Sequence, residues 1–261
     1  MTAIETIGTT ATIAAGPVFT AVTVLAGQTL GVRNTELTNR ITLGGAWAQG
    51  ATTMNLRIRS PRMHDFVNGI RFRAPGGVGP CDLLPGDLET KLYPQDVLTV
   101  EINGTALEVD MAFLTLYYDT LEGADGRFAT WDQVKPRIVN LTTNDVGIAA
   151  GAAAAWSAGT PWSAGTWAPY PNTDYAVLGY ESATLEGAIA ISGVDTGNLK
   201  VGGPGGTDPE FTRDYFRRES IERGRPNIPI INSANNATLL SFCANVAGTG
   251  STVSFLLAQL S

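Results

Sequence analysis

The sequence predicts an all-β fold made of two similar halves, and three observations carry that prediction. Short apolar runs bounded by turn residues recur along the chain; Met54, Leu56 and Ile58 alternate with Asn55, Arg57 and Arg59, the period of a strand with one wet face. The same order of features occurs twice, and self-similarity at domain scale is the mark of a duplicated architecture. One stretch, Thr212 to Arg223, has the character of a helix, with Gly224 at its C-terminal end.

The repeat runs as follows along the chain. Leu43-Gly44, the strand to Ser60, the Asn-led strand Asn68–Phe72 and Pro75-Gly76-Gly77 are matched by Leu178-Gly179, Ile189–Ser192, Asn198–Val201 and Pro204-Gly205-Gly206. Each half closes on a strand pair. Asp96 to Tyr118 lies over Thr238 to Leu260 without a gap, so that Phe113-Leu114 overlies Phe255-Leu256. A chain of 261 residues has room for one large β domain or two halves. Its 44% hydrophobic content supplies a core, and its 16% charged content is below the usual quarter or so. A surface this poor in charge suits a protein that buries much of its outside against copies of itself, and it also fits a Gly/Ala-rich composition with no such role.

In chain order, residues 1–30 read as an N-terminal arm with the first strands, residues 31–145 as a first barrel, 146–173 as a connecting loop, and 174–261 as a second barrel. Asn103-Gly104 is a strong short hairpin signal. Thr130 followed by Gln133 has the form of a capping box. The Gly/Ala/Ser-rich stretch from Ala149 to Asn172 has no helical or strand period, and its Trp156, Trp162 and Trp167 are expected to anchor on a partner surface, with packing in the core or between domains as the alternative. Spacing of the strands fits all-β sandwiches or barrels, and two tandem eight-stranded jelly rolls with one short helix inserted in the second accommodate the count.

The chemistry is sparse. A net charge of −7 and a pI near 4.7 argue against a phosphate grip, which needs clustered Lys and Arg. The basic run Arg213, Arg217, Arg218, Arg223, Arg225 is interleaved with Glu210, Asp214, Glu219 and Glu222 and reads as a salted helix face. His64 is the single histidine, so any Ser-His or Cys-His arrangement would have to use it; a turn role is expected for its neighbourhood, with Asp65 and Asp195 accepting from backbone donors. No CxxC or HxxxH occurs, which leaves zinc unsupported. No cofactor is expected, with a structural calcium ion at a subunit interface as the open alternative. Gly202–Gly206 is followed by Thr207-Asp208-Pro209-Glu210, so a turn is expected there and not a phosphate cradle. Cys81 and Cys243 are far apart in sequence, and nothing requires them to meet. The start lacks the features of a signal peptide and no window reaches the length of a membrane span, so synthesis and folding in a cytoplasm are expected.

Two fused β halves of this length, poor in charge and without a catalytic constellation, resemble the double jelly-roll major capsid proteins of tailless icosahedral phages with an internal membrane and of adenovirus. The resemblance covers roughly residues 31–261, rests on the order of elements, and has no diagnostic motif. It implies a non-enzymatic shell protein in which each barrel stands upright and three two-barrel chains tile as a pseudo-hexagon in the virion. Partners would be further copies and other virion proteins, with neither nucleic acid nor membrane bound directly. Trp156, Trp162, Trp167, Arg217 and Arg218 are the interface candidates under this reading. A carbohydrate-binding β-sandwich module of a phage receptor-binding or tail-associated protein, using the three tryptophans, is the alternative. A glycoside hydrolase with two facing carboxylates stands third.

Overall fold

The computed structural model describes residues 3–30, 41–62, 65–73, 90–93, 96–119, 126–205 and 209–261. His64, Cys81 and Pro75-Gly76-Gly77 lie outside the described residues. The first half carries β1 (Ala3–Ile13), β2 (Gly16–Ala21), β3 (Thr23–Val24), β4 (Ile41–Gln49), β5 (Thr53–Arg59), β6 (Ile70–Arg73), β7 (Thr90–Leu92), β8 (Thr99–Gly104) and β9 (Glu108–Tyr118). The second carries β10 (Phe128–Ala129), α1 (Trp131–Val134), β11 (Ile138–Ile148), β12 (Ala155–Trp156), β13 (Thr160–Pro161), β14 (Asp174–Ser182), β15 (Ala188–Ser192) and β16 (Val201–Pro204). It is completed by α2 (Pro209–Thr212), α3 (Tyr215–Arg223), β17 (Ile228–Asn232), β18 (Leu240–Asn245) and β19 (Ser251–Leu260).

The two halves have one topology. In the first, one sheet runs β1-β9-β4-β7 and the other β2-β8-β5-β6; in the second the sheets run β11-β19-β14-β17 and β12-β18-β15-β16. The small strands β3, β10 and β13 are additions to these paths. Numbering the main strands of each half from first to last, both follow first–eighth–third–sixth and second–seventh–fourth–fifth, all antiparallel. That order is a jelly roll, and the fold is two of them in tandem.

A shared irregularity supports the duplication beyond strand order. The third strand of each half bulges against the last: the β4–β9 register skips Gly44, between Leu43 and Gly45, and the β14–β19 register skips Leu178, between Val177 and Gly179. Bulges are inherited features of a sheet, not defects. They also correct the sequence overlay by one residue. Leu114 and Phe255 are the equivalent inward residues, whereas Phe113 points out of its half and stacks on Trp47 with ring centroids 5.6 Å apart. A one-residue slip in a strand exchanges its faces.

Several expectations shift for local reasons. Residues 3–13 are no arm: β1 pairs with β9 along its whole length and is almost entirely buried. The hairpin turn falls after Asn103-Gly104, because the Asn103 side chain is engaged inside the sheet, donating to Pro17 O at 3.2 Å and accepting from Asn55 Nδ2 at 3.1 Å. The expected helix is broken into α2 and α3 around Arg213-Asp214, with Gly224 left-handed at φ 59° closing α3. The capping box forms as read, Thr130 and Gln133 satisfying each other's backbone amides. Gly202 and Gly203 lie in β16 and not in a turn. The stretch read as a connecting loop lies between β11 and β14, inside the second half.

Gly179 is required by close approach: a Cβ there would meet Arg213 O at 2.4 Å and Thr212 O at 2.5 Å, where the chain leaving α2 crosses β14. Backbone cannot retreat as a side chain can. Gly179→Ala is therefore expected to cost about 2 kcal/mol or more, while Gly147→Ala, with nothing within 4 Å of its Cβ, stays within about 0.5 kcal/mol. Chemical denaturation of the two variants beside the parent checks the difference.

Candidate functional site

Four outer sheet faces exist in a two-jelly-roll chain, and one pair of them is joined within the molecule. Along β9 nearly every residue is buried, although alternate side chains point to opposite faces. The outward set of the first sheet, Ile4, Thr6, Trp47, Phe113 and Tyr117, lies against the second half. Ala188 and Ala244, outward on β15 and β18, belong to the core cluster of the first half, while Ile4 and Tyr117 belong to that of the second. Small residues on one side accept aromatics from the other.

Several polar atoms at this contact are paired, while Thr115 Oγ1 is buried without a partner. Thr6 N donates to Lys200 O at 2.7 Å, and its Oγ1 sits between Gly202 O at 3.0 Å and Gly202 N at 3.1 Å. Trp47 Nε1 donates to Gly187 O at 2.7 Å, and Trp156 Nε1 to Gln28 Oε1 at 2.8 Å. Burial lowers the Lys200 ammonium's pKa against the pull of Glu5, and the ammonium lies 4.6 Å from the centre of the Phe242 ring. From α3, Glu219 accepts from Arg223 Nε at 2.5 Å and from Tyr117 Oη at 3.2 Å. Burial raises Glu219 and outweighs the opposing effect of Arg223. Arg225 reaches Thr42 Oγ1 at 2.9 Å and Asp119 at 3.0 Å.

The second-sheet face of the first half is different. Arg57 and Arg59 on β5 stand beside Arg71 and Arg73 on β6, with Arg57 directly opposite Arg71. Like charges across a strand pair are unfavourable. Glu101 on β8 takes Arg57 at 2.7 Å and Arg59 at 2.8 Å, while Phe19 lies under Arg57 at 4.1 Å and Arg71 at 5.6 Å. Burial pushes the Glu101 carboxyl up, but the bonds from both arginines together hold it below its ordinary value. Sequence reasoning missed this cluster, because the alternation of β5 and β6 was visible but their pairing was not.

On the second half, the outer face of the first sheet carries an open apolar groove of about 430 Å³ lined by Trp131, Ile138, Leu141, Leu178 and Leu256, with Glu210, Arg213, Asp214 and Arg217 at its rim. Arg217 and Arg218 both pair with Asp214, at 2.5 and 2.8 Å, and Arg217 covers Trp131 at 5.2 Å. Arg218 also donates to the carbonyls of Glu210 and Phe211 at the end of α2. These two sequence candidates therefore sit beside the groove. The tryptophans do not. Trp162 and Trp167 are 0% and 8% exposed, packed with Phe255 and Tyr175 in the core of their own half, and Trp156 is half-buried against the first half. None of the three projects as an anchor.

Among the described residues no group of three or more His, Cys, Asp or Glu side chains is placed to hold a metal ion. Cys243 is buried, and burial pushes its thiol up to about 11. Asp65 and Asp195 do accept backbone amides, from Asn68 at 2.8 Å and from Asn232 at 3.0 Å.

No family model matches the chain, and no curated protein matches it. Among solved structures the chain is similar to the STIV MCP, a major capsid protein, at 10% identity and a TM-score of 0.21, over 100% of this chain and 97% of that one. A superposition this loose carries no argument, and the fold assignment rests on strand order.

One buried acid has a pH consequence. Asp110 is fully buried, held by Thr53 Oγ1 at 2.6 Å, and burial, reinforced by Glu108, raises its pKa to about 7 against the effect of Thr53. The folded state thus binds a proton that the unfolded chain releases nearer pH 4, so stability falls as pH rises through that interval to about 7. Asp110→Asn is expected to raise Tm by about 2–4 °C at pH 8 and to leave it nearly unchanged at pH 4; melts at the two values check it.

Proposed function

We propose that this chain is the structural, non-enzymatic protein of a viral shell, of the tailless icosahedral phage type, that assembles from copies of itself as pseudo-hexagonal trimers. The observation that carries the reading is the internal contact. It joins unlike faces, a first-sheet face of one jelly roll to a second-sheet face of the other. A contact between unlike faces is heterologous, and repeating it generates rings where the rotation closes. Three two-barrel chains would complete six barrels. Shell material needs extensive buried surface and no reaction centre, in keeping with a chain of 16% charged residues.

The sugar-binding alternative loses its anchor, since two of its three tryptophans fill the core and the third is held by Gln28. In this proposal the protein resides in the virion after assembly in the host cytoplasm, beside other virion proteins. It uses no cofactor and makes no direct contact with nucleic acid or membrane. Among the described residues no helix is long and apolar enough to cross a membrane.

Light scattering of the purified full chain, with negative-stain microscopy, tests the proposal. Trimers of hexagonal outline or closed shells are expected, unchanged by EDTA. Dissolution by EDTA would instead place a structural calcium ion in the assembly. A stable monomer at tens of micromolar would sink the shell reading.

A further inference from the structure

We infer that the free edge of β11 is a docking site for an extended, uncharged segment of a second protein, which adds to the sheet as a further antiparallel strand, whether or not the chain builds a shell. β11 is the outermost strand of its sheet and, among the described residues, the longest edge strand. Its register against β19 is regular from Asn140 to Ile148, so the backbone groups of alternate residues point away from β19. Asp145 marks which set does so: its N–H donates to Thr166 Oγ1 at 3.1 Å and its carbonyl accepts from Thr166 N at 3.2 Å. Leu141 and Thr143 therefore turn their N–H and C=O outward as well. The Leu141 N–H is taken by its neighbour's side chain, Asn140 Oδ1 at 2.9 Å. Among the described residues nothing meets the carbonyl of Leu141 or either backbone group of Thr143. The chain thus starts a pairing on this edge at Thr166 and leaves it open from there to the bulge at Val139.

The surroundings of the edge define the segment that fits it. Leu141 lies on the same side of the sheet as Leu256, since Leu141 and Thr143 pair in register with Ala258 and Leu256. Both leucines line the apolar groove of about 430 Å³, the size of a ligand cleft. A residue opposite Leu141 on an added strand stands on that same side, with the two Cβ atoms about 5 Å apart, so its side chain enters the mouth of the groove. Its sequence neighbours point to the other face. Val139 and Leu141 are 63% and 55% exposed, apolar surface that such a strand would cover. The charged rim needs no partner from outside, because Arg213 lies 3.3 Å from Glu181 and Arg217 lies 2.5 Å from Asp214. The occupant is therefore a segment with apolar side chains at alternate positions and neutral polar ones between. Main-chain bonds supply the affinity in this mode and the pocket supplies the specificity. A single free segment suits the open stretch better than the edge of a folded sheet, since Thr166 closes one end and a second copy's β11 carries the same stop.

The probe is a blocked, fluorescent peptide of alternating threonine and leucine, titrated against the full chain by anisotropy. In an antiparallel pair, a residue opposite one that bonds outward exchanges both of its bonds with it. The leucines opposite Leu141 and Thr143 therefore turn their N–H groups toward β11. Methylating the leucine nitrogens is expected to weaken binding at least tenfold, whereas methylating the threonine nitrogens leaves it unchanged. A groove that held only apolar side chains would not tell the two peptides apart. Thr143→Pro removes one outward N–H and no ladder bond to β19; it is expected to weaken binding at least tenfold while Tm holds. Equal binding of the two methylated peptides, the reverse order, or no binding by the parent at about 1 mM overturns the inference, and the methylated pair decides it even where Thr143→Pro fails to fold. Should the parent bind no peptide and Thr143→Pro lower its mass in light scattering, the edge belongs to a second copy, which overturns the assignment and leaves the shell reading intact.

Discussion

The burial of one sheet on both sides is the constraint on which the rest of the molecule depends. In a solitary jelly roll the outer face of the first sheet meets water and its strands alternate between apolar and polar residues. Here β9 from Asp110 to Tyr118 and β1 from Ala3 to Thr9 are buried throughout, because the second half covers that outer face. Trp47, Phe113 and Tyr117, each at most 3% exposed, contribute about 1.5–3 kcal/mol apiece on burial. A surface ion pair contributes about 0–1 kcal/mol. The joint is therefore apolar in energy, and its hydrogen bonds serve to leave few donors stranded, as Trp47 Nε1 on Gly187 O illustrates.

Duplication creates the need for that joint and also sets its limits. Two equivalent halves have two first-sheet faces and two second-sheet faces, and a single chain can satisfy one of each. The satisfied pair is built of Gly, Ala and aromatics, with Gly44 so close to Tyr117 that a Cβ would overlap its ring. The other pair carries the arginines of β5 and β6 and the charged rim of the groove.

Much of the fold was legible in the sequence because one-sided strands announce themselves. Met54 to Arg59 alternates cleanly, and the Leu-Gly pairs at Leu43 and Leu178 mark the bulged third strands. The illegible parts share one physical cause, which is that their environment is set by partners distant in sequence. Residues 3–13 lack the alternation of a one-sided strand because both faces are covered, so they read as an arm. Trp162 and Trp167 looked like surface anchors because the segment holding them has almost no regular structure, yet their indoles fill the core beside Phe255 and Tyr175. The arginine face needs the β5–β6 register, which places Arg57 opposite Arg71, and no local pattern contains that register.

The basic run from Arg213 to Arg225 was read as one salted surface, and the structure divides it between two contacts. Arg223 is 1% exposed and its partner Glu219 is 8% exposed; a pair this dry adds little net stability but is expensive to break, since either partner alone would be a buried charge. Such a pair fixes where α3 sits against Tyr117 and hence against the first half. Arg217 and Arg218, on the same helix, face Asp214 and the groove rim instead. One short helix therefore touches the internal joint on one side and borders the groove on the other. Its position is fixed by buried charge, and the groove rim inherits that rigidity through a helix of nine residues. A rim fixed by the internal joint therefore keeps one outline.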